Sequence, residues 1–152
     1  MRETVRLIAP QIDKLSSGYL RDGRRQEVWR IETIDIGDDR VVAKASMTDF
    51  YVSRTDDKGF HLSFITALEM VSQLTIVYLH YKAGLTEKSR EVWVSESRNR
   101  FVRPVRNPDD IRLEMTVKKL REHGGSLFCE ADYRVTDEQD GLYEYWGKAC
   151  LQ

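Results

Sequence analysis

The chain has few of the features that mark specialised folds. It has two cysteines in 152 residues, Cys129 and Cys150, too few for a disulfide scaffold. Both are expected to be reduced core residues, since a free cysteine behaves as a small hydrophobe. No CxxC pair and no Cys/His cluster provides metal-ligand spacing, so no metal and no cofactor is expected. No glycine loop of the phosphate-binding kind is present. Charge of either sign is nearly balanced, at a net −1, which gives no electrostatic reason to expect nucleic acid or an anionic membrane as partner. Long apolar runs are missing too. The opening "MRETVRLIAPQIDKL" is broken by charges, so neither a signal peptide nor a membrane span is expected, and the expected location is the cytoplasm.

What remains is an ordinary globular composition, 41% hydrophobic and 32% charged, in a length that suits one domain spanning residues 1–152. Residues 3–16 carry Val5, Ile8, Ile12 and Leu15 at helical spacing, with Pro10 expected to interrupt or bend the helix. "EVWRIETIDI" and "RVVAKASM" read as strands, and the turn residues "GDD" between them predict an antiparallel pair.

Residues 61–82 form the strongest helix candidate. Leu62, Phe64, Ile65, Leu68, Val71, Leu74, Val77 and Tyr78 make it apolar on most sides, so it belongs inside something. Its polar members, Thr66, Glu69, Ser72, Gln73 and His80, recur in steps of three and four and form one stripe. An unpaired buried polar group costs about 1–3 kcal/mol, so this stripe either satisfies itself or lines a site.

Four strand candidates follow. "REVWVSESRNRFVRP" ends at Pro104. "IRLEMTVKKL", "SLFCEADYRV" and "LYEYWGKACL" are joined by the turns "EHGG" (122–125) and "DEQDG" (137–141) into a meander. Leu127, Cys129, Ala131, Tyr133 and Val135 alternate with polar or exposed positions, the period of a strand with one buried face. Two strands, a buried helix and four more strands predict an α+β hotdog fold, an antiparallel six-strand sheet wrapped around one long central helix.

From about Tyr19 onward the chain resembles hotdog-fold enzymes acting on acyl thioesters. "ALEMVSQ" and "RFVRPVRNPDDIRLEMTV" resemble the β-hydroxyacyl-carrier-protein dehydratases, which place their catalytic histidine in a His-Phe-Pro-Gly loop well upstream of the helix glutamate; here His61 lies close before Glu69 and no Pro-Gly follows it. "YVSRT…GFHL", Gln73 and "SRNRFVRPVRNP" are similar to the mycobacterial long-chain acyl-CoA thioesterase-like family, some of whose members add glycine to (2E)-enoyl thioesters. In that resemblance Tyr51 falls on an active-site tyrosine, Tyr19 on a second tyrosine, and Ser72 where the thioesterase carries a functional asparagine. It implies glycine addition to the β-carbon of an enoyl thioester held on CoA or an acyl carrier protein, with accompanying hydrolysis to an N-carboxymethyl-3-amino acid. The alternatives are a plain fatty acyl-CoA or acyl-carrier-protein thioesterase, a non-catalytic acyl-binding protein and a hydratase or dehydratase of the same fold.

The residues carry distinct expectations. His61, read as lying at the helix N-terminus, is the candidate base, and Tyr51 the candidate hydrogen-bond donor to a developing oxyanion. Arg54 is the candidate cation for a glycine carboxylate, while Lys58 reads as a solvated loop charge. Glu69, Ser72 and Gln73 either contact substrate or satisfy partners within a homodimer. Arg98, Arg100, Arg103 and Arg106 either bind the phosphates of a pantetheine carrier or form a charged exposed strand face.

Overall fold

The computed structural model describes residues 6, 8–17 and 26–152. Tyr19 lies outside the described residues, as does Val5. A short helix α1 (Ala9–Leu15) buries none of its residues. Pro10 does not bend it; the proline stands in its first turn, where a missing N–H costs nothing and a fixed φ favours helix.

Six antiparallel strands make one sheet: β1 (Val28–Ile36), β2 (Arg40–Asp49), β3 (Val92–Arg103), β4 (Ile111–His123), β5 (Ser126–Thr136) and β6 (Leu142–Leu151). Their order is β1-β2-β4-β5-β6-β3. The central helix α2 (Phe64–Lys82) lies across the inner face, which completes the hotdog arrangement read from the sequence. The period-two pattern survives in detail. Cys129, Ala131, Tyr133 and Val135 are buried on β5, and Ile111, Leu113 and Met115 on β4. Both cysteines are free and buried. Burial pushes the Cys129 thiol up to about 11.

Helix α2 starts at Phe64, not at residue 61. Ser63 is the N-cap and accepts the Thr66 amide at 3.2 Å. It stops where Gly84 adopts a positive φ and donates to Tyr81 O. The sheet covers Thr66, Ala67, Met70, Val71, Leu74, Thr75, Tyr78, Leu79 and His80. The opposite side is only half covered: Ile65, Leu68, Ser72, Ile76 and Val77 are intermediate, and Phe64 is 51% exposed. The apolar residues on that side therefore exceed what one chain's sheet can bury. Among the described residues, no helix is long and apolar enough to cross a membrane.

Candidate functional site

The loop from Phe50 to Ser63 joins β2 to α2, and two other segments fix it. From the β3–β4 loop, Val105 O accepts the Leu62 amide at 2.8 Å and Arg106 Nη1 donates to Phe60 O at 3.3 Å. From β6, the Tyr143 hydroxyl donates to Leu62 O at 2.5 Å and the Tyr145 hydroxyl to Phe64 O at 3.4 Å. Phe64, Phe101, Tyr143 and Tyr145 pack edge-to-face behind this junction.

On this frame His61 is held in the loop before the helix cap rather than on the helix end itself. Its Nδ1 lies 2.8 Å from Asp56 Oδ2, and its side chain is 44% exposed. Arg106 Nη1 reaches both oxygens of the same carboxylate, at 3.3 and 3.1 Å. The Arg106 hydrogen bond is the main cause holding the Asp56 carboxyl below the usual carboxylate range, so Asp56 is an anion at neutral pH. An anionic Asp56 accepts the proton on Nδ1, which leaves Nε2 as the proton-accepting nitrogen.

Arg106 is itself fixed from behind. Asp137, on the β5–β6 turn, accepts the backbone amides of Arg106 and Asn107 on Oδ2 and those of Gln139 and Gly141 on Oδ1. Burial works against the Asp137 charge, but the four amides prevail and its carboxyl also sits below the usual range. Gly141 is buried against this network. A Cβ there would fall 2.6 Å from Val105 Cα and 2.8 Å from Asp137 Oδ1.

At the start of α2, Glu27 is 5% exposed and accepts from the Thr66 hydroxyl, the Ser63 hydroxyl and the Tyr51 amide. Tyr51 is thereby anchored by its backbone next to the helix start. The Ser63 hydroxyl takes the Thr66 amide and Ser63 O takes that of Ala67. The Phe64 and Ile65 amides have no intrahelical acceptor.

The polar stripe of α2 divides between two sides. Glu69 Oε2 accepts from Trp29 Nε1 on β1, and Gln73 is exposed beside Trp29, Ile31 and Val77. Ser72 donates to Leu68 O in its own helix at 2.7 Å and faces the other way. It lines a narrow cleft of about 30 Å³ between α2 and the β6–β3 edge, with Leu68, Thr75, Tyr133, Tyr145 and Trp146. The floor is made of small residues, Gly147 and Ala149. Thr75 and Tyr133 hydroxyls share a hydrogen bond at 2.7 Å there.

Sequence reasoning singled out His61 and Tyr51 but missed Asp56, Glu27 and Asp137. Asp56 sits five residues before His61 in a turn-rich run, the only local signal for the pair. Arg54 is exposed on a turn of the same loop and belongs to none of the hydrogen-bond arrays above. Lys58 is exposed, as expected. The four arginines do not form a free basic cluster. Arg98 pairs with Glu96, Arg100 with Glu144, Arg103 with Asp140 and Arg106 with Asp56. Arg98 also lies over the Trp146 ring at 4.7 Å. Three of them are thus the charged outer strand face, and the fourth belongs to the His61 array. Among the described residues no group of His, Cys, Asp and Glu could hold a metal ion.

No family model matches this sequence, and no curated protein matches it. Solved structures do share the fold. A hypothetical thioesterase from Streptococcus pneumoniae TIGR4, crystallised with coenzyme A, superposes with a TM-score of 0.60 at 9% identity, over 82% of this chain and 89% of the other. A mutant thioesterase from Pseudomonas aeruginosa gives 0.57 at 12% identity, over 81% and 80%. A phenylacetic acid degradation-related protein from Ralstonia eutropha JMP134 gives 0.57 at 13%, over 82% and 84%.

Proposed function

We propose that this protein is an acyl-thioester hydrolase whose base is His61. The observation that carries the reading is the His61–Asp56 pair. A carboxylate 2.8 Å from Nδ1 fixes the ring and its tautomer, and a 44%-exposed imidazole then presents Nε2 to solvent and substrate. The hotdog fold and the thioesterases that share it support the substrate class.

In the proposed reaction, Nε2 removes a proton from water as its oxygen bonds to the thioester carbonyl carbon. The carbonyl electron pair moves onto oxygen, where the Phe64 and Ile65 amides and the positive end of the α2 dipole stabilise it. Tyr51, anchored beside that helix start, is the candidate further donor. Collapse of the adduct re-forms the carbonyl and breaks the C–S bond, and the imidazolium returns its proton to the departing thiolate. The acyl chain would start at the cleft beside Leu68, Ser72 and Thr75, whose free space of about 30 Å³ must widen to admit it. The thiol is that of CoA or of a carrier protein's pantetheine arm.

Glycine addition to a (2E)-enoyl thioester is the second reading, and the similarity of "YVSRT…GFHL" and "SRNRFVRPVRNP" favours it. There His61 would deprotonate the glycine amine, which bonds to the β-carbon while the same donors hold the enolate oxygen. The glycine carboxylate needs a cation, and Arg54 is the candidate. We place hydrolysis first because the Arg106 guanidinium, which shares the Asp56 carboxylate with His61, is already engaged by it.

The deciding experiment incubates the protein with saturated and (2E)-enoyl thioesters on CoA and on a carrier protein, with and without glycine, and weighs the products. Free acid independent of glycine supports hydrolysis; glycine-dependent adducts support addition. No turnover of any thioester by the purified protein would defeat both.

A further inference from the structure

Asp56 alone would make a poor partner for a base. A bare carboxylate 2.8 Å from an imidazole favours the protonated ring, and a protonated ring cannot accept a proton from water. Arg106 shares Oδ2 of that same carboxylate, 3.1 Å away, with its own side chain only 22% exposed. With a neutral ring the three groups sum to zero charge. Protonation would place two cations on one carboxylate.

We propose that Arg106 is a positioning residue that keeps His61 unprotonated, with Asp137 holding Arg106 in register from the far side. Asp56 orients the ring, and Arg106 cancels the charge that orientation would otherwise bring with it. The proposal rests on His61 being the base of the proposed reaction.

The charged groups facing this array are few. On the ring's own loop are Asp56 and the exposed Arg54, Asp57 and Lys58, of which Lys58 donates its backbone amide to Asp56. The β3–β4 loop supplies Arg106. Behind it the β5–β6 turn supplies Asp137, which contacts Arg106 through the backbone amide at 2.5 Å. From β6 comes the Tyr143 hydroxyl, donated to Leu62 O and kept neutral by burial. Arg106 is therefore the cation in direct contact with the carboxylate that faces the ring. Asp137 holds four amides from two loops, which sets where the Arg106 Cα stands. That gives the segments "RPVRNP" and "TDEQDG" one shared role in the site.

The test follows the His61 ring by NMR in protein carrying ¹³C-labelled histidine. Three histidines are present, and a His61→Gln variant assigns the signal. In Arg106→Gln the titration midpoint should rise by about 1 relative to the unmodified protein. In Arg106→Lys, which keeps the charge, it should stay with the unmodified protein. Asp137→Asn removes an anion, which by itself lowers the midpoint, so any rise there reports Arg106 displaced from Asp56. The acid limb of the pH–rate profile should follow, with turnover on that limb slower by up to about tenfold and the alkaline plateau retained. An unchanged or lower midpoint in Arg106→Gln overturns the proposal, as does an Arg106→Lys midpoint that moves as far as the glutamine variant. Should Arg106→Gln fail to fold by thermal unfolding, Arg106→Met decides by the same criterion: a rise supports the proposal and an unmoved midpoint overturns it. The titration is independent of turnover, so a protein inactive on every thioester would defeat the functional reading while the ring measurement still tests the charge relationship.

Discussion

Trp29 on β1 donates its indole N–H to Glu69 Oε2 at 3.2 Å, tying the first strand to the second turn of the central helix. The bond gives the half-buried carboxylate a part in the packing of the sheet edge. Trp29→Phe should cost about 1–2 kcal/mol in urea unfolding by removing a donor from a charged acceptor. Glu69→Gln keeps an acceptor, so it should cost less and leave most turnover intact. Loss of turnover in Glu69→Gln without loss of stability would place Glu69 on the substrate instead.

Removing the base should be severe and specific. His61→Ala should lower kcat by about 10² to 10⁴ with an unchanged fold by circular dichroism. Tyr51→Phe should lower it by at least about tenfold, because the backbone anchor to Glu27 is kept and only the hydroxyl is lost. Near-normal rates in both variants would show that the loop serves packing alone.

Asp137 makes an acid-sensitivity prediction. Its folded carboxyl is held below the usual value of about 3.9, so the unfolded chain binds the proton more readily. The stabilisation is then fully present above pH ~4 and is lost as pH falls through the folded value. Asp137→Ala should lower stability by about 1–2 kcal/mol at pH 7, allowing for partial exposure, and the difference should vanish in strong acid. Thermal unfolding between pH 7 and pH 2 measures it.

Gly141 should tolerate no side chain. With Val105 Cα, Asp137 Oδ1 and Pro104 O all within 2.8 Å of a built Cβ, Gly141→Ala must push backbone apart. A loss of about 1–3 kcal/mol is expected. An alanine variant as stable as the parent would show that the turn has slack.

Strand β3 makes a prediction about assembly. It is one of the sheet's two edge strands, twelve residues long, with Trp93, Val94, Phe101 and Val102 exposed. A long apolar edge is a pairing surface. Together with the half-covered side of α2 it supports a homodimer, which light scattering at micromolar concentration should report. Val94→Lys should shift the population toward monomer.

Much of the fold was legible because each strand's buried face declares itself locally. Leu127 to Val135 reads out as alternation whatever the strand pairs with. The helix was legible in type, but its start was set three residues later by Ser63, whose capping role depends on one hydroxyl meeting one amide. The site was legible only in part. Ser72 and Glu69 belong to one stripe in the sequence, yet one is satisfied within its own helix and the other by Trp29 forty positions away. Arg106 looked like a member of a basic run, and its membership of the His61 array depends on the turn at Asp137. Partners brought together by tertiary folding leave no periodic trace.

The strand order also dictates when this protein can fold. β3 is made before β4 and β5, but its one neighbour in the sheet is β6, with Val92 opposite Leu151 and Arg103 opposite Leu142. During synthesis β3 therefore waits, both edges open and its aromatic residues uncovered, until the last strand has left the ribosome. The sheet cannot close segment by segment behind the tunnel. Its completion is a late, long-range event of the slow kind, and until then Trp93 and Phe101 stand without the strand that pairs with them.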